Sequence, residues 1–155
     1  MKRGRLLLFV CTGNVCRSPM AEYLMRKRLG HSSDWAVASA GLAALGGMTA
    51  SRNAIDALAE QGLDMSRHRS RQLTRDLIDA ANVIVVMTAS HRDQLRMLFR
   101  DAREKVFLLR SFDPAADAED VEDPIGADVG TYRQIRDTIE AALPGLTEFL
   151  RGLHV

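Results

Sequence analysis

Residues 9–22, FVCTGNVCRSPMAE, place two thiols and a guanidinium in one short loop. An apolar run ends at Cys11, Arg17 follows, and Ser18-Pro19 opens a helical pattern. A helix N-terminus offers unpaired N–H groups and the positive end of a dipole, which together suit an anion. Gly13 permits backbone geometry that other residues resist, so consecutive N–H groups from Thr12 onward are expected to form a nest. Arg17 adds a planar, permanently charged fork that matches a tetrahedral oxyanion. In such a field a cysteine favours its thiolate, which is the nucleophilic form. The chemistry implied is attack by the Cys11 sulfur on a phosphate-like anion. Read instead as a small packed residue at a strand end, Cys11 would leave the rest of the loop unexplained.

Other phosphate and metal loops fit poorly. A Walker A loop ends in Gly-Lys-Ser/Thr, and here the lysine is missing; a dinucleotide fingerprint needs three spaced glycines, and this loop has one. The Cys11–Cys16 spacing is not the C-x-x-C of zinc or thioredoxin sites, and there is no further cysteine. No metal site and no organic cofactor are expected.

The elements that must hold this loop can be read around it. Leu6–Cys11, Trp35–Ala40, Val83–Thr88 and Lys105–Leu109 read as strands. Their continuous apolar runs suit strands covered on both faces of a parallel sheet. Helical patterns lie between them: Ser18–Leu29 closed by Gly30, a second around Ala54, Ile55 and Leu58 stopped at Gly62, and a shorter one over Leu73–Ala81. Ser90 with Asp93 resembles a capping box for a helix through Leu98. Ile135, Ile139, Ala142 and Leu143 define the last helix, which Pro144-Gly145 should kink or break. Strand alternating with helix predicts an α/β fold, in which ligands bind beyond the carboxyl ends of the strands. Cys11 stands at such an end. The acidic stretch Asp113–Asp128 is too polar for core and reads as a long surface loop.

The chain has 155 residues, enough for one domain, expected over 1–155. With 21 Lys+Arg against 20 Asp+Glu, charge gives no argument for nucleic acid or a membrane surface. Leu6–Val10 is too short for a secretion signal, and no run is long enough to span a bilayer. Two cysteines cannot build a disulfide framework, so a reducing, cytoplasmic setting is expected.

The loop VCTGNVCRSPMAE, with its Cys-x5-Arg-Ser core near the N-terminus, resembles the low-molecular-weight protein tyrosine phosphatase family. The likeness continues through SAG at 39–41, HRSRQLT at 68–74, ANVIVVMTASH at 81–91 and EDPIG at 122–126. The resemblance implies a single flavodoxin-like domain, with a four-stranded parallel sheet in order 2-1-3-4 and helices on both faces. It implies that Cys11 forms a phosphocysteine and that Arg17 and the N–H groups of Thr12, Gly13, Asn14, Val15, Cys16 and Ser18 hold the phosphoryl oxygens. Asp123 would protonate the leaving atom and then activate water. The acidic loop also offers Asp113, Asp117, Asp120 and Asp128, and a second Asp-Pro at Asp113-Pro114; only the resemblance selects Asp123. Asn14, Ser18, Ser39 and His68 match residues that shape the loop and bond the thiolate, although a solvated loop histidine is a close alternative for His68. Cys16 matches a second cysteine able to form a reversible disulfide with the nucleophile, with a packed thiol at the helix start as an equal alternative. The arginines at 67, 69, 71 and 75 read as a solvated face, and Trp35 as core.

For substrate, tyrosine-directed members carry aromatic residues after the Asp-Pro, where this chain has Ile125-Gly126. Leu42, Leu45, Met48 and Ile125 are expected to form an apolar wall instead. The protein arginine phosphatase branch resembles this chain in its DP-x-G and SAG segments, but has threonine where Val15 stands. A phosphorylated protein is the expected partner, with inorganic phosphate or a similar oxyanion in the loop. Phosphotyrosine is the first reading and phosphoarginine the second. Arsenate reduction with an external thiol and an idle phosphate-binding module are the remaining ones.

Overall fold

The computed structural model describes residues 4–153; Met1–Arg3 and His154–Val155, part of the expected single domain, lie outside the described residues. Strands β1 (Arg5–Cys11), β2 (Trp35–Gly41), β3 (Val83–Val86) and β4 (Val106–Leu108) form one parallel sheet in the order β2-β1-β3-β4, as expected. Its strands alternate between two apolar layers. Leu7, Phe9, Cys11, Val83 and Val85 belong to the layer shared with α1 (Arg17–Leu29), α2 (Arg52–Ala59) and α5 (Val129–Arg151). Leu8, Val10, Ile84 and Val86 belong to the other, with α3 (Arg75–Ala80) and α4 (Ala89–Leu98). Burial on both faces is why these strands read as unbroken apolar runs.

The register fixes the site. Cys11 pairs with Gly41, and Val10 with Val86, so the carboxyl ends of β2, β1 and β3 open on the same side. Gly41 is required there: a Cβ would stand 2.6 Å from the Thr12 carbonyl and 3.1 Å from the Asn14 nitrogen. The chain after β2 then clasps the loop, with Leu42 N–H donating to the Cys11 carbonyl, Ala43 N–H to Thr12, and Ser51 N–H to Val15.

Two local expectations are corrected. Helix α4 is capped by Thr88, whose hydroxyl accepts from the His91 N–H at 3.0 Å, whereas the Ser90 hydroxyl accepts from Gln94. Helix α5 runs through Pro144-Gly145 without a break. A mid-helix proline costs about 3 kcal/mol. Leu143, Leu146 and Leu150 are fully buried around it. Each such burial contributes about 1.5–3 kcal/mol, so packing outweighs the proline. Gly145 has a packing role: a side chain there would collide with the Phe112 carbonyl.

Candidate active site

Between β1 and α1 the loop closes on a cavity of about 110 Å³ lined by residues that include Cys11, Gly13, Val15, Arg17, Asp123 and Ile125. Cys11 is buried at the end of β1, and its Sγ lies 2.9 Å from the Ser18 hydroxyl in the first turn of α1. Arg17, the first residue of α1, is buried too. Its Nη1 donates to the Val121 carbonyl at 2.9 Å, and its Nη2 stands 3.6 Å from Asp123 Oδ2. Its Nε is buried with no protein acceptor, a donor that fits an oxyanion in the cavity.

Asp123 arrives on the acidic loop, which has no strand or helix of its own between Asp113 and Asp128. The loop is pinned by one apolar residue. Val121 is fully buried, its N–H donates to the Met87 carbonyl, and its own carbonyl takes the Arg17 bond. Beside it Asp120 accepts from the Ala89 N–H at the start of α4, and Arg110 holds Asp117 and the Asp120 carbonyl. Asp120 is therefore a helix-start acceptor, whereas Asp123 is the acidic-loop carboxylate that lines the cavity.

The loop's unusual backbone belongs to Asn14, not to Gly13. Asn14 has φ 58°, while a Cβ on Gly13 would meet only Val15 Cγ2, at an ordinary 3.8 Å. A left-handed non-glycine costs about 1–2 kcal/mol. Asn14 is held there by bonds on every polar atom of its side chain. Oδ1 accepts from the Arg71 N–H, Nδ2 donates to both Ser18 and Ser39, and its carbonyl accepts from His68 Nε2 at 2.8 Å. His68 is buried against the edge of Tyr23, so the solvated-histidine alternative does not hold. The arginines at 67, 69, 71 and 75 are all exposed, as expected, and some of them also make bonds. Arg71 donates from Nε to the Ser39 carbonyl, and Arg75 pairs with Asp79 and Asp101.

Cys16 is bonded to the Ser51 hydroxyl at 3.3 Å and to the Tyr132 hydroxyl at 3.4 Å. Burial pushes the Cys16 thiol up, against the opposing pull of those hydroxyls. Burial, and then its bond to Cys16, push Tyr132 up to about 12. Both cysteines are free. His91, on α4, reaches Thr12 Oγ1 with Nε2 at 2.9 Å. Burial and then Arg17 lower it to about 4, so it is neutral near pH 7; Asp120 and Asp123 pull weakly the other way. Of the expected wall, Ile125 lines the cavity, but Leu42 packs into the apolar layer of α3 and α4, and Leu45 and Met48 are exposed. Among the described residues no three His, Cys, Asp or Glu side chains are grouped to share a metal ion.

Sequence reasoning missed Glu22, Ser51, His91, Val121 and Tyr132. Glu22 left a signal, being four residues beyond Ser18 and so on the same helix face, and His91 closes the segment ANVIVVMTASH.

A thiol at a strand end, under a helix N-terminus and beside a buried arginine that lines the same small cavity, defines the class of cysteine-based phosphatases. The comparisons make this specific. Residues 6–153 match the family model described as low molecular weight phosphotyrosine protein phosphatase. A protein-arginine-phosphatase of Geobacillus stearothermophilus is 39% identical, over 94% of this chain and 95% of its own length. Low molecular weight protein-tyrosine phosphatase A of Mycobacterium tuberculosis is 36% identical, over 92% of this chain and 89% of its own. Among solved structures, the tyrosine phosphatase Wzb from Escherichia coli K30, in complex with sulphate, superposes with TM-score 0.84 at 31% identity, covering 94% of this chain and 97% of that one. The chain belongs to the low molecular weight phosphotyrosine protein phosphatase family.

Proposed function

We propose that the protein dephosphorylates phosphotyrosine on protein substrates through a phosphocysteine at Cys11. The observation that carries this reading is the convergence of Cys11, Arg17 and Asp123 on one small cavity, with the Ser18 hydroxyl against the sulfur. In the first step the Cys11 thiolate attacks phosphorus, a P–S bond forms, and the P–O bond to tyrosine breaks. Asp123 gives its proton to the departing phenolate. In the second, Asp123 takes a proton from water as that water attacks phosphorus, and the P–S bond breaks to release phosphate and the thiolate. Arg17 and the loop N–H groups carry the charge of the phosphoryl oxygens throughout. The sulphate-bound relative supports an oxyanion in this loop. The same reading sets the protein in the cytoplasm, where a catalytic thiol stays reduced, with no nucleic acid or membrane partner.

A second reading, phosphoarginine, is favoured by one observation. The cavity is walled by Val15 and Ile125 and has no aromatic side chain to clamp a phenyl ring. The Geobacillus stearothermophilus relative, named for arginine dephosphorylation, adds weight. Parallel hydrolysis of a phosphotyrosine and a phosphoarginine peptide, with Cys11→Ser as blank, tests both. Faster phosphotyrosine turnover supports the first reading and faster phosphoarginine turnover the second. Turnover no higher than the blank overturns both.

A further inference from the structure

Thr12 stands between Cys11 and Gly13, is exposed, and lines the same cavity as Arg17 and Asp123. Among the described residues its hydroxyl has one partner, His91 Nε2 at 2.9 Å. Thr88 caps α4, so His91 falls in the first turn of that helix, just beyond the end of β3 and beside the end of β1. The ring is 5% exposed, and the contact with Thr12 is its one hydrogen bond among the described residues, because Nδ1 is buried with no partner. A buried polar side chain left half unpaired is uncommon. Here it is held against a single atom of the phosphate-binding loop.

Donor chemistry fixes how that bond runs. The ring is neutral near pH 7, kept so by burial and then by Arg17, with Asp120 and Asp123 pulling weakly the other way. A place in the first turn of a helix also disfavours a cation. A neutral imidazole carries one N–H and one bare nitrogen. With the hydrogen on Nδ1, a buried N–H would be left without an acceptor, which is the rarer kind of orphan. With the hydrogen on Nε2, the ring donates to Thr12 Oγ1, and only a bare nitrogen stays unpaired. The Thr12 oxygen then accepts from the ring. A hydroxyl has one hydrogen of its own, and that of Thr12 is left with no protein acceptor at the edge of the cavity.

We infer that the Thr12 hydroxyl is a further donor to the phosphoryl oxygens in this cavity, with His91 as the positioning residue that occupies its oxygen and leaves its hydrogen for them. This inference rests on the proposed reading of the cavity as the phosphoryl site. It adds one side-chain hydroxyl to the donors already formed by Arg17 and the loop N–H groups. A donor aimed at oxygens on which charge develops serves the reaction as well as binding.

The test titrates inorganic phosphate into the full chain at pH 7, followed by NMR shifts of the loop amide groups, and needs no turnover. Thr12→Val is expected to weaken phosphate binding about tenfold, the loss of a hydrogen bond to a charged group. Thr12→Ser keeps the hydroxyl and is expected to recover most of that affinity. His91→Leu leaves the Thr12 hydrogen in place and is expected to weaken binding less than Thr12→Val. A mere tie between α4 and the loop would be cut by either variant alike, so equal losses in Thr12→Val and His91→Leu overturn the inference. Unchanged binding in Thr12→Val overturns it too, as does Thr12→Ser binding as weakly as Thr12→Val. Thr12→Val leaves the His91 N–H unpaired. If that variant does not fold, the double variant Thr12→Val with His91→Leu is compared with His91→Leu alone, and equal affinity overturns the inference. Nitrogen NMR of the unaltered protein reads the ring directly: hydrogen on Nε2 is expected, and hydrogen on Nδ1 overturns the inference. An unaltered protein that binds phosphate but hydrolyses neither phosphopeptide overturns the proposed function and leaves this inference decided on its own result.

Discussion

Arg17 Nη2 stands 3.6 Å from Asp123 Oδ2, across a separation of more than a hundred residues in the chain. One anchor makes this closeness: the other terminal nitrogen of Arg17 holds the Val121 carbonyl, two residues before Asp123. Arg17, at the start of α1, thus sets the position of the acidic loop.

Removing that carboxylate should separate binding from chemistry. Asp123→Asn is expected to lower kcat by about 10²–10⁴-fold, the usual worth of a positioned acid and base. Inhibition by inorganic phosphate is expected to stay as strong or become stronger, because a negative charge beside Arg17 has gone. Steady-state kinetics with phosphate as inhibitor checks both.

The two glycines near the loop should behave oppositely. Gly41→Ala drives a Cβ to 2.6 Å from the Thr12 carbonyl, and backbone there cannot swing aside as a side chain could. Overpacking of this kind costs about 1–3 kcal/mol. Thermal unfolding is expected to show that loss, and phosphatase activity to fall with it. Gly13→Ala meets only the Val15 methyl at 3.8 Å and is expected to keep its stability.

Asn14 offers a test of backbone against side chain. Asn14→Gly accepts the left-handed conformation at φ 58° but loses the bonds to Ser18, Ser39 and Arg71. Asn14→Ala loses the same bonds and also bears the left-handed strain of about 1–2 kcal/mol. Chemical denaturation is expected to rank the unaltered protein first, glycine second and alanine last. Both variants are expected to lose most of their turnover.

His91 makes stability pH-dependent in a defined window. Its folded value is lowered to about 4, by burial first and Arg17 second. In the unfolded chain a histidine titrates near ~6.5. As pH falls below that, the unfolded state binds a proton that the folded state refuses, so stability is lost down to the folded value. Melting temperatures followed from about pH 7 to about pH 4 are expected to decline less steeply in His91→Gln than in the unaltered protein.

What the sequence revealed follows physical range. The strands and the order of elements were legible because burial on both faces writes continuous apolar runs into the chain. Cys11 and Arg17 were legible because a strand end, a short loop and a helix start lie within nine residues. Asp123 could not be told from its acidic neighbours by composition, since what singles it out is the burial of Val121 and a bond from Arg17. His91 and Tyr132 reach the loop from α4 and α5, contacts between residues 79 and 116 apart, which no local pattern encodes. The expected break at Pro144 failed for a related reason, because the apolar face of α5 continues on both sides of the proline and packing decides. Gly13 misled because glycine's freedom is a permission, and here the neighbouring asparagine takes the left-handed turn.

The central claim is that Cys11 carries the phosphoryl group during turnover. Asp123→Asn, mixed with p-nitrophenyl phosphate, whose leaving group needs no proton from Asp123, and quenched within the first turnover, should hold the covalent intermediate long enough to map by mass spectrometry. Phosphate on Cys11, absent from Cys11→Ser, is the result this account requires. p-Nitrophenolate released with no phosphate on Cys11, or with phosphate on another residue, would contradict it.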